Sequence, residues 1–210
     1  MNQYRTATDK DIPVLARMAA DAFKTDPFFL KLAKPTFQSQ ADYVHFLIRL
    51  YTVLFKIELK KGFGVLILVD GELAGAAFLR PILNENNLTD FLSINALKLF
   101  RYFKGGLLNR LLEQSARAKA PCYQYKDKHT MYLSTLMVAT NYQGHHLGSR
   151  LLNERVIPIL KTRQIARLVL KTSEFSSFQF FKTNEFKCFD EQQIRLDQKS
   201  VPNWSLAYEF

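Results

Sequence analysis

Cysteine, long apolar runs and acidic charge are what this chain has little of. Its two cysteines, Cys122 and Cys188, lie far apart and make neither a disulfide framework nor a zinc-ligand spacing, so both are expected as reduced thiols, Cys188 packed in the core. No apolar stretch approaches the ~20 residues of a membrane span. The polar N-terminal residues lack the apolar centre of a signal peptide, and a cytoplasmic protein is expected. Nor does a low-complexity linker or an internal repeat divide the 210 residues, which read as one domain. Acidic residues number 19 against 29 lysines and arginines, a net charge of +10 that favours an anionic partner of some kind. Its blocks, Lys56 to Lys61 and Arg101 to Arg117, are diluted by Leu and Phe and carry no zinc-finger or RNP-type signature. Nucleic acid has only the charge in its favour, and a solvated basic surface is the simpler meaning.

What is present is apolar. Hydrophobic residues make up 48% of the chain, with 18 Phe and 9 Tyr, enough for a core and unlike a disordered composition. Tyr4 to Ala7 reads as a first strand. Thr8 with Asp11 three residues on forms a capping-box pattern, and Pro13 sits where a missing N–H costs little. Ile12, Leu15, Ala16, Ala19 and Phe23 follow helical spacing as far as Asp26-Pro27, which ends that helix. Tyr43, Phe46, Leu47, Leu50, Tyr51 and Leu54 define a second helix. Gly64 to Val69 and Glu72 to Leu79 are strands joined by Asp70-Gly71, which supplies the positive φ of a type I′ turn.

From Pro81 to Tyr125 the pattern is helical, with Leu88, Phe91, Leu92, Leu99, Phe103, Leu111 and Leu112 apolar and Gly105-Gly106 as a break. This segment, about 84–120, reads either as an inserted helical region shaping a pocket or a homodimer surface, or as plain core helices. Met131 to Val138 is near-continuously apolar, as a central strand covered on both faces would be. A helix carrying Leu151, Leu152, Val156 and Leu160 follows, bent by Pro158. Then come a strand at Arg167 to Lys171, a helix at Ser176 to Asn184, and strands at Gln192 to Asp197 and Trp204 to Phe210, with Trp204 in the core. That order is a mixed α/β sheet in one domain.

The chemistry concentrates after the central strand. It ends at Val138, a tight turn runs through Gln143-Gly-His-His-Leu-Gly148, and a helix opens at Ser149. A strand that turns into a helix start leaves N–H groups unpaired at the positive end of a helix dipole, which is an anion site. Gly144 and Gly148 let the backbone approach a ligand closely. No Lys-Ser/Thr closes the turn as in a Walker loop, and its glycine spacing is not that of a dinucleotide fold.

Val138-x-x-x-Tyr142-Gln-Gly-x-x-Leu-Gly-Ser-x-Leu-Leu152 resembles the cofactor motif of the GNAT N-acetyltransferases, usually written Gln/Arg-x-x-Gly-x-Gly/Ala. In register downstream, Leu170-Lys-Thr-Ser173 and Phe180-Phe-Lys-Thr-Asn-Glu-Phe186 resemble that family's Leu-Glu-Thr-Ser and Phe-Tyr-x-x-x-Gly-Phe. Ala22-Phe-Lys-Thr-Asp-Pro27 and Pro202-Asn-Trp204 resemble elements of its puromycin acetyltransferase-like branch.

The resemblance implies an α/β fold over residues 1–210. Its mixed, mostly antiparallel sheet of six or seven strands would be splayed at the central strand, with helices on both faces. It implies acetyl-CoA or another acyl-CoA as co-substrate and no metal. The pantetheine arm would lie beside Leu136, Met137 and Val138, and the diphosphate on the backbone of Gln143, Gly144, His145, His146, Leu147, Gly148 and Ser149. Ser177 stands where the family has a pantetheine-contacting Asn. The Met137 N–H would polarise the thioester carbonyl and hold the oxyanion, a contribution of ~3 kcal/mol. The acceptor, a primary amine of a small molecule, would attack directly.

Besides Ser177, several positions depart from the family pattern, the mildest being Thr140 in place of the usual Pro before Tyr142. His146 replaces the central glycine of the turn; it tolerates unusual backbone angles, and its side chain either crowds the diphosphate or, like that of His145, adds charge when protonated. Phe181 stands where many members place the Tyr that protonates the departing thiolate, and Phe has no proton to give. Glu185 replaces the glycine before the closing Phe and is expected to alter the turn rather than the chemistry. The general base is left open among Glu174, Tyr132 and Ser134. Two expectations compete: an N-acetyltransferase slowed by Phe181, and a CoA-binding or regulatory protein of the same fold with weak or no turnover.

Overall fold

Seven strands build the sheet: β1 (Asn2–Thr6), β2 (Phe63–Val69), β3 (Glu72–Pro81), β4 (Thr130–Val138), β5 (Arg167–Thr172), β6 (Lys187–Leu196) and β7 (Lys199–Glu209). They hydrogen-bond in the order β1-β2-β3-β4-β5-β7-β6. This is a computed structural model that describes residues 2–84, 90, 106–196 and 199–210. The expectations for Leu88, Phe91, Leu92, Leu99, Phe103 and Gly105 lie outside the described residues.

One pairing decides the shape. Every neighbouring pair is antiparallel except β4–β5. That parallel ladder joins only Thr130 to Arg167, Met131 to Leu168 and Tyr132 to Val169, after which the strands part. On its other edge β4 stays paired with β3 as far as Val138, which faces Gly75. Phe78 faces Thr135 and Leu79 faces Leu133, so Ser134 is an extra residue, its hydroxyl donating to the Phe78 carbonyl at 3.1 Å. A bulge of this kind bends a strand and increases its twist, here where β4 leaves β5. The sheet is therefore mixed, mostly antiparallel and open beside its central strand, as expected.

Successive side chains of a strand point to opposite faces, and each face is covered by helices. Leu66, Ala76, Phe78 and Met137 pack against α1 (Ile12–Phe23), α2 (Pro27–Leu32), α3 (Gln40–Lys61) and α4 (Leu107–Lys119). Ala77, Leu79, Leu133 and Leu170 pack against α5 and α6 on the other face. Helix α5 is one helical run of α (Leu147–Leu151), π (Leu152–Val156) and α (Ile157–Thr162) turns, and α6 spans Phe175–Thr183. Trp204 is buried against Phe178, ring centroids 4.8 Å apart.

Local chemistry explains the element ends. The Asp11 carboxylate accepts the Thr8 N–H at 2.8 Å before α1 and is gripped by Arg5 at 2.6 Å, which holds it well below the usual carboxylate range. Asp70 and Gly71 both take positive φ, 51° and 87°, as a type I′ hairpin demands. Pro158 cannot donate, and its ring would press on the carbonyl four residues back. The wide π turn Leu152–Val156 ends two residues before Pro158 and relieves that crowding.

Several boundaries differ from expectation. Helix α1 does end before Asp26-Pro27, at Phe23, but Asp26 also caps a further short helix, α2, its Oδ1 accepting the N–H groups of Phe28 and Phe29 at 2.9 and 3.2 Å. An Asp before Pro is as good a helix start as a helix stop. Helix α3 opens earlier, at Gln40, capped by Ser39 Oγ, and α5 opens at Leu147, not Ser149, because the left-handed residue His146 caps it. Cys188 is exposed on the edge strand β6 rather than packed in the core. Of the segment at about 84–120, the described part includes α4, whose Leu107, Leu111 and Ala118 are buried in the same core as the α1–α3 layer, the helix lying beside β5 and β6. Among the described residues no helix is long and apolar enough to cross a membrane.

Candidate active site

Where β4 runs out, the chain makes one 3-10 turn, Thr140–Tyr142. It then reverses through Gly144 at φ 81° and His146 at φ 57° and enters α5. The Gln143 side chain ties this turn to the strand end by donating to the Val138 carbonyl at 3.1 Å. The first helical bond runs from Arg150 N–H to the His146 carbonyl at 3.0 Å. Leu147, Gly148 and Ser149 therefore present the orphan donors of the helix start, at the positive end of its dipole. Gly148 is needed for closeness: a Cβ there would stand 3.1 Å from the Phe180 ring of α6.

Strand edge, turn and α6 enclose a cavity of about 380 Å³. It brings together Leu136, Met137, Val138, Gln143, Gly144, His146, Leu147, Gly148, Ser149 and Ser177, with Phe180 and Phe181 as a wall. His145 is not among the lining residues; its Nδ1 donates to the Gln143 carbonyl at 3.0 Å. His146 and Glu185, the two residues that replace family glycines, keep left-handed backbone, Glu185 at φ 68°. The backbone of the pattern is retained and its side chains are changed, at ~1–2 kcal/mol for each left-handed L-residue.

A second cavity, of about 220 Å³, lies beside the parted edge of β4, and Leu136, Ser177 and Phe181 line both. Its walls come from far apart in sequence: Phe23, Asp26 and Phe29 near the α1–α2 junction, Tyr51 and Leu54 of α3, and Lys171, Ser173 and Glu174 at the end of β5. Burial pushes the Asp26 carboxyl above its usual range, with the Lys171 ammonium and the two cap bonds pulling it partly back. Burial likewise pushes Lys171 down, opposed by Asp26, and its Nζ sits 4.9 Å over the Phe28 ring. Ser173 is buried, and its hydroxyl has no hydrogen-bond partner within the described protein.

Of the three general-base candidates, Glu174 and Ser134 line this cavity and Tyr132 does not. Tyr132 is buried, its ring beneath Lys119 Nζ at 4.4 Å and Arg80 at 5.4 Å, and burial pushes its hydroxyl up, out of reach as a base. The residue that sequence reasoning missed is Asp26. Its signals in the sequence were a helix boundary and a place inside the family-like element Ala22 to Pro27, and nothing local places it across from β5. Among the described residues no group of three His, Cys, Asp or Glu could hold a metal ion.

The profile described as the Acetyltransferase (GNAT) family matches residues 27–184. Solved structures share the fold along the whole chain. The C-terminal condensation domain of Ebony in complex with beta-alanyl-dopamine is similar with a TM-score of 0.71 at 12% identity, over 100% of this chain and 99% of that one. Drosophila melanogaster polyamine N-acetyltransferase gives 0.62 at 14% identity, over 100% of both chains. The ribosomal-protein-S18-alanine N-acetyltransferase of Escherichia coli gives 0.57 at 14%, over 100% of this chain and 94% of that one. At such identities the likeness speaks for the fold. No curated protein matches the chain.

Proposed function

The chain belongs to the GNAT acetyltransferase family, and from that premise we propose that it is an N-acetyltransferase moving the acyl group of acetyl-CoA, or another acyl-CoA, to the primary amine of a small molecule. The observation that carries this reading is the pair of cavities meeting at Leu136, Ser177 and Phe181 beside the parted edge of β4. One cavity suits the thioester and the other the amine. A cytoplasmic setting accords with the two free thiols, Cys122 and Cys188.

The residues present fit a CoA group. The edge of β4 at Leu136 to Val138 offers backbone groups to an extended amide-bearing arm. The start of α5 offers N–H donors and a dipole to a diphosphate, and the side-chain-free surface of Gly148 keeps that approach open. The oxyanion is assigned to a backbone N–H on the open edge of β4; the register pairs Met137 with Ala76 of β3, so the N–H groups that face this edge are those of Leu136 and Val138, not that of Met137. The amine nitrogen attacks the thioester carbon, a C–N bond forms, the C–S bond breaks, and the amine gives up one proton. Asp26 is assigned as its acceptor: Oδ1 holds the α2 cap, Oδ2 is left for the proton, and its raised pKa brings it nearer to neutral operation. The sulfur leaves as a thiolate, and the Ser177 hydroxyl, the polar side chain shared by the two cavities, donates a hydrogen bond to it where Phe181 cannot.

A small acceptor is supported by the size of the second cavity, below the roughly 300–1,000 Å³ of drug-sized sites. Two of the structural neighbours are described with small amine chemistry, a polyamine acetyltransferase and a domain holding beta-alanyl-dopamine. The competing reading, a CoA-binding protein with little turnover, is favoured by Phe181 and by the His146 side chain in the turn. Amine-dependent thiol release from acetyl-CoA, with the amide identified by mass spectrometry, separates the two. Release without dependence on any amine, by protein that binds acetyl-CoA, leaves the binding reading standing.

A further inference from the structure

The acceptor cavity is two-ended, and its ends differ in chemistry. The wall given by α1, α2 and α3 is apolar: Phe23 stacks on Tyr51 with ring centroids 5.6 Å apart, Phe29 meets Tyr51 edge-on at 6.1 Å, and Leu54 completes it. Charge is confined to the end where Asp26 faces the tail of β5 with Lys171 and Glu174. Resting on the transferase reading above, we infer that the acceptor is a monoamine carried on one aromatic or similarly compact apolar ring, of the 2-phenylethylamine type, in preference to diamines, polyamines and peptide N-termini.

Charge balance excludes the diamines. Two carboxylates against one ammonium leave a single net negative charge at the polar end, which one incoming ammonium neutralises. A second ammonium would have to sit against Phe23, Phe29, Tyr51 and Leu54, stripped of water and without a carboxylate among these wall residues, where cation–π attraction offsets only part of the desolvation cost. An aromatic ring finds offset and edge-on partners there, each pair contributing about 0.5–1.5 kcal/mol beyond its buried area. Volume excludes the larger acceptors. At about 220 Å³ the cavity takes one ring and a short arm. The exposed edge of β4, which a peptide would use for strand-like pairing, lines the cofactor cleft through Leu136 to Val138. The arm of such a monoamine runs from the aromatic wall past Asp26 toward Leu136 and Ser177, where the thioester carbon is reached.

The test measures kcat/KM with acetyl-CoA for 2-phenylethylamine, agmatine, spermidine and an alanyl peptide, on the full chain. The expected order puts 2-phenylethylamine at least tenfold above each of the others. Lys171→Glu makes the polar end more negative and should move the agmatine-to-phenylethylamine ratio at least tenfold toward agmatine. If that variant does not fold, Lys171→Met should move it the same way by a smaller factor. Agmatine, spermidine or the peptide matching or beating 2-phenylethylamine in the natural chain overturns the inference while leaving the transferase reading intact, as does a ratio that neither variant moves. Acetyl-CoA binding with no amine acetylated overturns the transferase reading, and this inference with it.

Discussion

The two cavities that meet at Phe181 are built in opposite ways. The proposed cofactor cleft is mostly a backbone site, made by the stretch from Leu136 to Ser149 and closed by α6. The proposed acceptor cavity is a side-chain site, assembled from α1, α2, α3, β4, β5 and α6 across more than half the chain. Backbone donors at a helix start work with many sequences, provided the turn can form. A site made of dispersed side chains is specified one residue at a time, so the first should be tolerant and generic and the second selective.

That contrast can be broken at several points. The largest effect is expected at Asp26. Asp26→Asn keeps the cap of α2, since Asn caps as well as Asp, but cannot accept a proton, and kcat/KM should fall about 10²–10³-fold. Thermal unfolding should move little. In the natural chain kcat/KM should rise with pH as Asp26 loses its proton, with a midpoint above the ordinary value of about 3.9 because burial raises it. The Asn variant should lack that limb; an unchanged pH–rate profile would remove Asp26 from the mechanism.

Gly148→Ala should act on the other cavity alone. Its methyl would meet the Phe180 ring at 3.1–3.2 Å, and acetyl-CoA affinity should weaken about tenfold, or 1.4 kcal/mol, with the order of preferred amines unchanged. A shifted amine order with intact cofactor affinity would erase the division between the sites. At the junction the effects are smaller. Phe181→Tyr should raise kcat severalfold and Ser177→Ala should lower it, both with acetyl-CoA affinity nearly constant, as single-turnover rates would show. The smallest effects belong to the left-handed residues. His146→Gly and Glu185→Gly each relieve a strained φ and should stabilise the fold by up to about 1 kcal/mol, read from chemical denaturation.

The same contrast governs what could be read from the sequence. The strand, turn and helix from Met131 to Leu152 were legible because periodicity, two glycines and a helix start are local signals. The hairpin at Asp70-Gly71 was legible for the same reason. The parting of β4 from β5 followed from the resemblance; its physical cause, the Ser134 bulge beside a three-residue parallel ladder, has no signature in the sequence. Asp26 was visible as a helix boundary and as part of a family-like element, but the role proposed for it depends on its sharing a cavity with Lys171 and Glu174 from another element. Tyr132 looked available because alternation along a strand does not tell a cavity from a core. Cys188 was placed inside because an edge strand and a central one have similar compositions.

The central claim is that the turn from Gln143 to Ser149 holds a CoA diphosphate. Calorimetric titration of the folded protein with acetyl-CoA tests it most directly, run beside an acetylated pantetheine that lacks the diphosphate. One saturable site for acetyl-CoA is expected, with Kd on the order of 1 µM–1 mM, the usual range of KM for enzyme substrates, and far weaker binding of the truncated compound. No binding of acetyl-CoA at millimolar concentration, or equal binding of the two compounds, would contradict it.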